Sequence, residues 1–166
     1  MSGGPVPSMK TLPRPNFWWA SLLLATWFGV GLLPKAPGTW GSLAALPCAW
    51  LIVWAGGPIA LACATGAVFV LGWWASAIYA HGRNDPGEVV IDEVAGQWLV
   101  LIVAPLDPAL YALGFVLFRL ADITKPWPAN WAERHLPGGL GIMADDIVAG
   151  AYAGVVVWAV ADLVMR

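Results

Sequence analysis

The chain has 166 residues, of which 60% are apolar and only 11% charged, with 12 tryptophans and a formal net charge of −2. Its mean hydropathy is +0.73. Few soluble domains are this apolar, so the composition predicts a membrane protein with a single domain. No net positive charge and no basic run support a nucleic-acid-binding function, so none is expected.

Apolar runs separated by glycine and proline follow a tail rich in proline, glycine and serine. We expect residues 1–16 to be a disordered tail and residues 17–166 to form the folded domain. The runs lie at 17–33, 43–55, 56–80, 94–104, 109–118 and 147–161. They are apolar throughout rather than alternating, which predicts helices and not a membrane barrel. The expected fold is an all-α, integral membrane bundle of short helices.

Two tight turns predict how these helices are connected. Gly56-Gly57-Pro58 and Pro105-Leu106-Asp107-Pro108 have the composition of turns. They would join helices into two hairpins, at 43–80 and 89–122, followed by a last helix from about residue 147. The shorter helices can reach across a bilayer only if they include their acidic ends.

The basic residues predict the orientation of the hairpins. Seven of the eight lie in the tail and in three polar connections, at 34–42, 81–93 and 119–146, and neither turn contains one. By the positive-inside rule the connections face the cytoplasm. The run at 17–33 fits this topology badly, because Arg14 and Lys35 flank it on both sides, and either a re-entrant or an interfacial segment would explain it.

Seven of the ten carboxylates fall in three clusters, and the first holds four of them. Pro86 suits the first turn of a helix with Asp85 as its cap, which would place Asp85, Glu88 and Asp92 on one face. Like charges stacked in this way repel, and a divalent cation removes the repulsion. A solvated helix start is the alternative for Asp85 and Glu88. It suits Asp92 and Glu93 poorly, because apolar residues flank them.

The second cluster combines Asp122 with two basic residues near a helix end. Lys125 follows three residues later, just before Pro126. A lysine beside carboxylates can hold a phosphate as a point charge, although a local Asp–Lys ion pair is the plainer alternative. Arg119, one turn earlier, either adds a basic contact or extends its charge to the membrane surface.

Two glycine-containing segments complete the set of candidate sites. In 138–146 a glycine-rich loop, including Gly139, leads into Asp145 and Asp146, and such loops let backbone amides approach an anion. One of these two acids could instead cap the last helix. In 33–42, Lys35 and Thr39 lie in a constrained loop that either surrounds a phosphate or forms a turn whose Ser42 caps the next helix.

Four segments in order resemble the phosphatidylglycerophosphatase A family. They are PKAPGTWGSLAALP, VIDEVAGQW, FRLADITKPWP and GGLGIMADDIVAG, and the similarity extends from residue 31 to about residue 155. The resemblance implies an all-α, Mg²⁺-dependent lipid phosphatase of the bacterial inner membrane. Its substrate would be phosphatidylglycerophosphate, which loses its terminal phosphate to give phosphatidylglycerol. The topology predicted from the basic residues places the acid clusters, and hence the active site, on the cytoplasmic side.

The matching motifs supply the expected functional residues. The resemblance carries over Asp92, Glu93, Asp122, Lys125, Asp145 and Asp146. We hypothesise that Asp92, Glu93, Asp145 and Asp146 hold Mg²⁺, with Asp85 as a looser fifth ligand. Asp122 is then a ligand or base, and Lys125 binds the phosphate with further contacts from Lys35, Thr39 and Gly139. One Mg²⁺ needs fewer acids than this, which leaves room for a second metal or a carboxylate nucleophile.

Two other functions are compatible with acids beside membrane helices. Ionisable residues in membrane segments also mark ion or proton pathways, which predicts a transport protein. A pathway, however, should show acids at several depths, whereas these cluster at predicted helix ends. A non-enzymatic subunit with a stabilising metal is the remaining alternative, and an activity assay separates it from an enzyme.

Overall fold

The computed structural model describes residues 17–80, 83 and 86–166, and within these ranges it contains helices and turns but no strand. The predicted all-α fold is confirmed. The helices are α1 (Trp18–Ala25), α2 (Pro37–Ala80), α3 (Ile91–Leu101), α4 (Pro108–Thr124), α5 (Ala129–His135) and α6 (Gly139–Met165), with a 3₁₀ turn at Val30–Leu32. The predicted disordered tail at 1–16 lies outside the described residues and stays a prediction.

Helix α2 reverses its direction near its middle. Gly57 has φ 73° and ψ −177°, a conformation that is essentially restricted to glycine. A Cβ at Gly41 would lie 2.9 Å from Cβ of Val90, and one at Gly72 would lie 3.1 Å from Cγ1 of Ile91. Both halves of α2 therefore contact the beginning of α3, as expected if the chain turns back at Gly57.

Helix α3 is the centre of the fold. Only two of its 11 residues are not buried, and it packs against α2, α4 and α6. Its backbone approaches α6 closely, because a Cβ at Gly150 would lie only 2.6 Å from the carbonyl oxygen of Gly96. Phe118 of α4, Val157 of α6 and Leu61 of α2 fill the core around it.

Two helices, α2 and α6, are long and apolar enough to cross a membrane. Only 11% of the most apolar stretch of α2 and 28% of that of α6 are buried inside the protein. An apolar helix in the core of a soluble protein would be mostly buried, so these outward-facing apolar surfaces favour a lipid environment.

Three predicted helix starts are wrong, and a tertiary contact explains the first of them. Helix α3 begins at Ile91 rather than at Pro86, since the amide of Val90 donates to the carbonyl of Ala25 instead of joining a helix. Helix α6 begins at Gly139 rather than near residue 147, so the expected glycine-rich loop is its first turns. Helix α2 begins at Pro37 and contains residues 37–42 of the segment at 33–42 that was expected to be a loop.

The first apolar run is not one continuous helix. Helix α1 has only eight residues and ends at Ala25, after which Trp27, Phe28 and Gly29 all have positive φ angles. An eight-residue helix rises about 12 Å, less than half of the hydrocarbon thickness of a bilayer. The run at 17–33 therefore does not cross a membrane as a single helix.

Candidate active site

Three carboxylates from two helices meet at the contact between α3 and α6. Asp92, Glu93 and Asp146 each supply an oxygen atom, and these atoms lie within 4.8 Å of one another. Asp92 and Glu93 occupy the first turn of α3. Gly96, one turn later, lets α6 come close, because a Cβ there would lie 2.6 Å from the carbonyl oxygen of Asp146. The glycine therefore determines where Asp146 lies.

The chemistry of this cluster suits a hard divalent cation. Asp92 and Asp146 are 7% and 3% exposed, and Glu93 Oε2 and Asp146 Oδ2 are buried and accept no hydrogen bond from the described residues. Ionised carboxylates that are buried together repel and lose their hydration. A cation bound by their oxygens offsets both costs, and carboxylate oxygens are the protein ligands that Mg²⁺ prefers.

Arg119 and Asp122 border the three carboxylates from α4. The Nη1 atom of Arg119 lies 3.6 Å from Oε1 of Glu93 and also pairs with Oδ2 of Asp122. The Asp122 carboxylate in turn adjoins that of Asp146. Only 15% of the Arg119 side chain is exposed, so its charge points into the site and does not extend to the membrane surface. Of the two alternatives for Arg119, a basic contact in the site or a charge at the membrane surface, the structure therefore shows the first.

Lys125 lies at the edge of the site and is held by two acids. It ends α4 in the left-handed conformation, and its ammonium donates to Oδ2 of Asp145 at 2.7 Å and to Oε1 of Glu133 at 2.9 Å. Burial alone would lower the pKa of Lys125, but the hydrogen bonds and charges of Asp145 and Glu133 outweigh it and raise that pKa. Lys125 is therefore a permanent positive charge, and Glu133 is a partner that sequence reasoning missed.

Asp145 is not part of the three-carboxylate cluster. One of its oxygens binds Lys125, and the other accepts the amide of Asp146 at 3.1 Å. Asp145 and Asp146 both lie inside α6, whose N-cap is Gly138, so the alternative in which one of them caps this helix is wrong. Of the four acids expected to form the metal cage, the structure brings together Asp92, Glu93 and Asp146.

The start of α2 lies against the acids, so part of the predicted segment at 33–42 borders the site. A Cβ at Gly38 would overlap the Glu93 carboxylate and lie 3.1 Å from Nη1 of Arg119. Thr39 follows in the first turn of α2, whereas Lys35 precedes it and is exposed. The Ser42 hydroxyl donates to the carbonyl of Gly38 at 2.9 Å and does not cap the helix.

The remaining candidates lie away from the cluster or outside the described residues. Gly139 is buried against α2, where a Cβ would lie 2.7 Å from the amide nitrogen of Ala77. Helix packing therefore accounts for this glycine without a phosphate. Glu88 pairs with Arg83 at 3.4 Å and has 44% of its side chain exposed, which agrees with a solvated position. Asp85 lies outside the described residues.

Gln97 is a second residue that sequence reasoning missed. It follows Glu93 by one turn of α3, is fully buried, and neither its Oε1 nor its Nε2 atom has a hydrogen-bond partner among the described residues. Its sequence signals are its place in the segment VIDEVAGQW and its polarity within the apolar run at 94–104. The groups that surround it depend on how α3 packs against the other helices.

The fold and the site together define an all-helical, strongly apolar protein with buried carboxylates beside an arginine and a lysine. The chain belongs to the phosphatidylglycerophosphatase A family, whose sequence model matches residues 23–161. It is accordingly an enzyme of the phosphatase class, and the predicted resemblance is confirmed. Membership decides against the transport and non-enzymatic alternatives.

Three named relatives illustrate this similarity. The phosphatidylglycerophosphatase A of Escherichia coli strain K12 is 44% identical over 135 residues, which cover 77% of this chain and 76% of the relative. That of Haemophilus influenzae is 38% identical over 141 residues, covering 83% and 86%. A putative phosphatidylinositol-3-phosphatase of Bacteroides thetaiotaomicron is 36% identical over 155 residues, covering 88% and 95%. No solved structure matches the chain significantly.

Proposed function

We propose that this chain hydrolyses the terminal phosphate of phosphatidylglycerophosphate in a Mg²⁺-dependent reaction that yields phosphatidylglycerol and inorganic phosphate. The observation that carries the proposal is the group of three carboxylates, two buried and one largely buried, beside Arg119. The names of the Escherichia coli and Haemophilus influenzae relatives support the substrate. A phosphate monoester hydrolyses very slowly without catalysis, so the site must supply strong electrostatic stabilisation.

The metal-binding part of the proposal assigns Mg²⁺ to Asp92, Glu93 and Asp146. The distances among their oxygens and their burial support this assignment. When bound, Mg²⁺ would offset the charge of the phosphate and orient the phosphate group for attack at phosphorus. The three carboxylates would also hold the metal close to Arg119, which lies within 3.6 Å of Glu93.

The basic residues are proposed to bind the phosphate. Arg119 has a planar fork that can donate two parallel hydrogen bonds to phosphate oxygens, and its pairing with Glu93 and Asp122 fixes it beside the metal ligands. Lys125, held by Asp145 and Glu133, adds a second positive charge at the edge of the site. Thr39 and the amides at the start of α2 lie next to Gly38 and provide further donors.

Asp122 is the proposed general base. It pairs with Arg119 and adjoins Asp146, so its carboxylate lies beside both the proposed phosphate-binding residue and the proposed metal ligands. In the reaction, the oxygen of a water would attack phosphorus while Asp122 takes the water's proton. The bond between phosphorus and the lipid oxygen then breaks, and the proton passes to the departing lipid alkoxide.

We also propose that the protein is a multi-pass protein of the bacterial inner membrane with this site facing the cytoplasm. Each half of α2 is about 30 Å long, enough to cross the hydrocarbon core, and α6 is of similar apolar character. Lys35, Arg83, Lys125 and Arg134 lie in the polar connections, which the positive-inside rule assigns to the cytoplasm. The acids at the start of α3 and the end of α4 would then face the same compartment.

A phosphoinositide is the second candidate substrate, because the Bacteroides thetaiotaomicron relative is named a putative phosphatidylinositol-3-phosphatase. Both lipids carry a phosphate monoester on a polyol, so the metal site suits either. The test is phosphate release from phosphatidylglycerophosphate and from phosphatidylinositol 3-phosphate by the purified protein in detergent micelles, with Mg²⁺ or with EDTA. We expect Mg²⁺-dependent release from phosphatidylglycerophosphate. Equal rates with EDTA, or release only from the phosphoinositide, would contradict the proposal.

A further inference from the structure

Gln97 has a buried polar group that the mechanism above leaves without a role. Its side chain is fully buried in α3, and both its amide oxygen and its amide nitrogen are without hydrogen-bond partners among the described residues. Burying an amide without replacing its hydrogen bonds to water is costly. An apolar residue of the same size would avoid that cost, so the amide at this position requires a functional reason.

The face of α3 that carries Gln97 lies against α4. Glu93, Gln97 and Val100 are spaced by four and three residues and share one helix face. At one end of this face Glu93 lies 3.6 Å from Nη1 of Arg119. At the other end, a Cβ at Gly114 would lie 3.2 Å from Cγ1 of Val100. Gln97 therefore lies between these two contacts, one turn below the Glu93–Arg119 pair.

Arg119 has a matching unsatisfied group. Its Nη1 atom pairs with Glu93 and Asp122, but its Nε–H is buried and has no acceptor among the described residues. The Nε–H is a donor, whereas the amide of Gln97 offers an acceptor and two donors. A buried water with at least two polar partners can join such groups across a gap that is too wide for a direct hydrogen bond.

We infer that Gln97 is a positioning residue that fixes Arg119 through a buried water bound between Gln97 and the Nε–H of the guanidinium. Held at Nε as well as at Nη1, the guanidinium keeps its remaining N–H groups directed at the phosphate of the substrate. Such preorganisation strengthens phosphate binding without any contact between Gln97 and the lipid. This inference rests on the proposed function, because it assigns Arg119 to the phosphate.

The test compares Gln97→Met with Leu101→Met, a control at a fully buried position one turn further along α3. Phosphate affinity is read without turnover, as the rise in unfolding temperature that inorganic phosphate produces in micelles at saturating Mg²⁺. We expect Gln97→Met to weaken phosphate binding about tenfold, the size expected for one hydrogen bond to a charged group, and to raise KM for the lipid similarly. Its unfolding temperature without phosphate should equal or exceed that of the native protein, and Leu101→Met should leave phosphate affinity unchanged.

A double-mutant cycle with Arg119→Lys tests whether Gln97 acts through the guanidinium. Lysine has no Nε–H group of this kind, so Gln97→Met should change phosphate affinity less than about twofold in the Arg119→Lys background. Equal effects of Gln97→Met in the two backgrounds would overturn the inference. Unchanged phosphate affinity in the Gln97→Met single variant would also overturn it. If Arg119→Lys does not fold, the single variant alone decides.

Folding itself provides a further check. Gln97→Leu is measured beside Gln97→Met, and the failure of both apolar variants to fold would contradict a positioning role, since the amide would then serve stability. A native protein that releases no phosphate from any lipid would instead refute the proposed function. The two failures are therefore distinguishable.

Discussion

Arg119 contacts both Glu93 and Asp122 while only 15% of its side chain is exposed. Lys125 likewise contacts both Asp145 and Glu133. Each of these two cations is thus shared by two acids, and the Arg119 group is the more deeply buried of the two. Removing one member of a buried ionic group leaves its partners uncompensated, which is far more costly than losing an exposed ion pair. Stability and phosphate binding therefore depend on the same side chains.

Arg119→Met should lower the free energy of unfolding by about 3 kcal/mol, because Glu93 and Asp122 lose their shared cation in a largely buried site. The matched control is Arg166→Met, whose arginine is exposed and pairs with Asp162 at the end of α6. The control should change stability by less than about 0.5 kcal/mol. Unfolding in detergent micelles measures both, and similar small changes would contradict the ionic arrangement.

The raised pKa of Lys125 predicts how its contribution depends on pH. Because the folded-state pKa is higher than the unfolded one, the stabilisation is fully present below the unfolded value, about 10.4, and disappears as pH rises through the folded value. The difference in unfolding temperature between the native protein and Lys125→Met should therefore be constant between about pH 6 and 9. A difference that shrinks within this window would show that Lys125 loses its proton there.

Helix α3 shows which features of an element the sequence can predict. Its existence and apolar character were evident, and Asp92 and Glu93 were rightly singled out as poorly placed for solvation. Its start was not predictable, because the hydrogen bond from Val90 to Ala25 joins residues far apart in the chain. Asp145 was misplaced for a similar reason, since its partner Lys125 lies on another helix.

The close contact of α3 with α6 predicts a difference between two glycines of α6. Gly150→Ala would place a methyl group 2.6 Å from the carbonyl oxygen of Gly96, so the helices must separate and move Asp146 away from Glu93. We expect a loss of about 1–3 kcal/mol in stability together with most of the phosphatase activity. Gly154→Ala is the control, because its methyl group would lie 3.7 Å from Cα of Val100, an ordinary contact. Equal effects of the two substitutions would contradict the role of this contact.

At the scale of the whole molecule, the continuous apolar runs were sufficient to predict an all-α fold, and Gly56, Gly57 and Pro58 were sufficient to predict the turn at Gly57. The grouping of Asp92, Glu93 and Asp146 was suggested by motifs but depends on the packing of α3 against α6. Gln97 lies in a quoted motif segment, but the surroundings of Gln97 and the ion pair of Glu133 with Lys125 depend on tertiary packing and could not be predicted from sequence. The resemblance to a family supplied the chemistry, and the structure supplied the partners of each charge.

The proposed orientation can be tested by labelling single cysteines with a reagent that does not cross membranes. Cys48 and Cys63 are first replaced by alanine, and Leu106→Cys in the turn before α4 or His135→Cys at the end of α5 is then introduced. Leu106→Cys should react in intact cells whose outer membrane has been made permeable, whereas His135→Cys should react only after the inner membrane is opened. The reverse pattern would contradict a site that faces the cytoplasm.

The most direct test of the central claim is a Mg²⁺ titration of phosphate release from phosphatidylglycerophosphate by the native protein, Asp146→Asn and Asp162→Asn. Asp146 belongs to the buried cluster, whereas Asp162 pairs with Arg166 near the end of α6. The native protein and Asp162→Asn should lose activity in EDTA and regain it at the same Mg²⁺ concentration. Asp146→Asn should need at least about a hundredfold more Mg²⁺ or remain inactive. An unchanged Mg²⁺ requirement in Asp146→Asn would contradict the assignment of the cluster as the metal-dependent site.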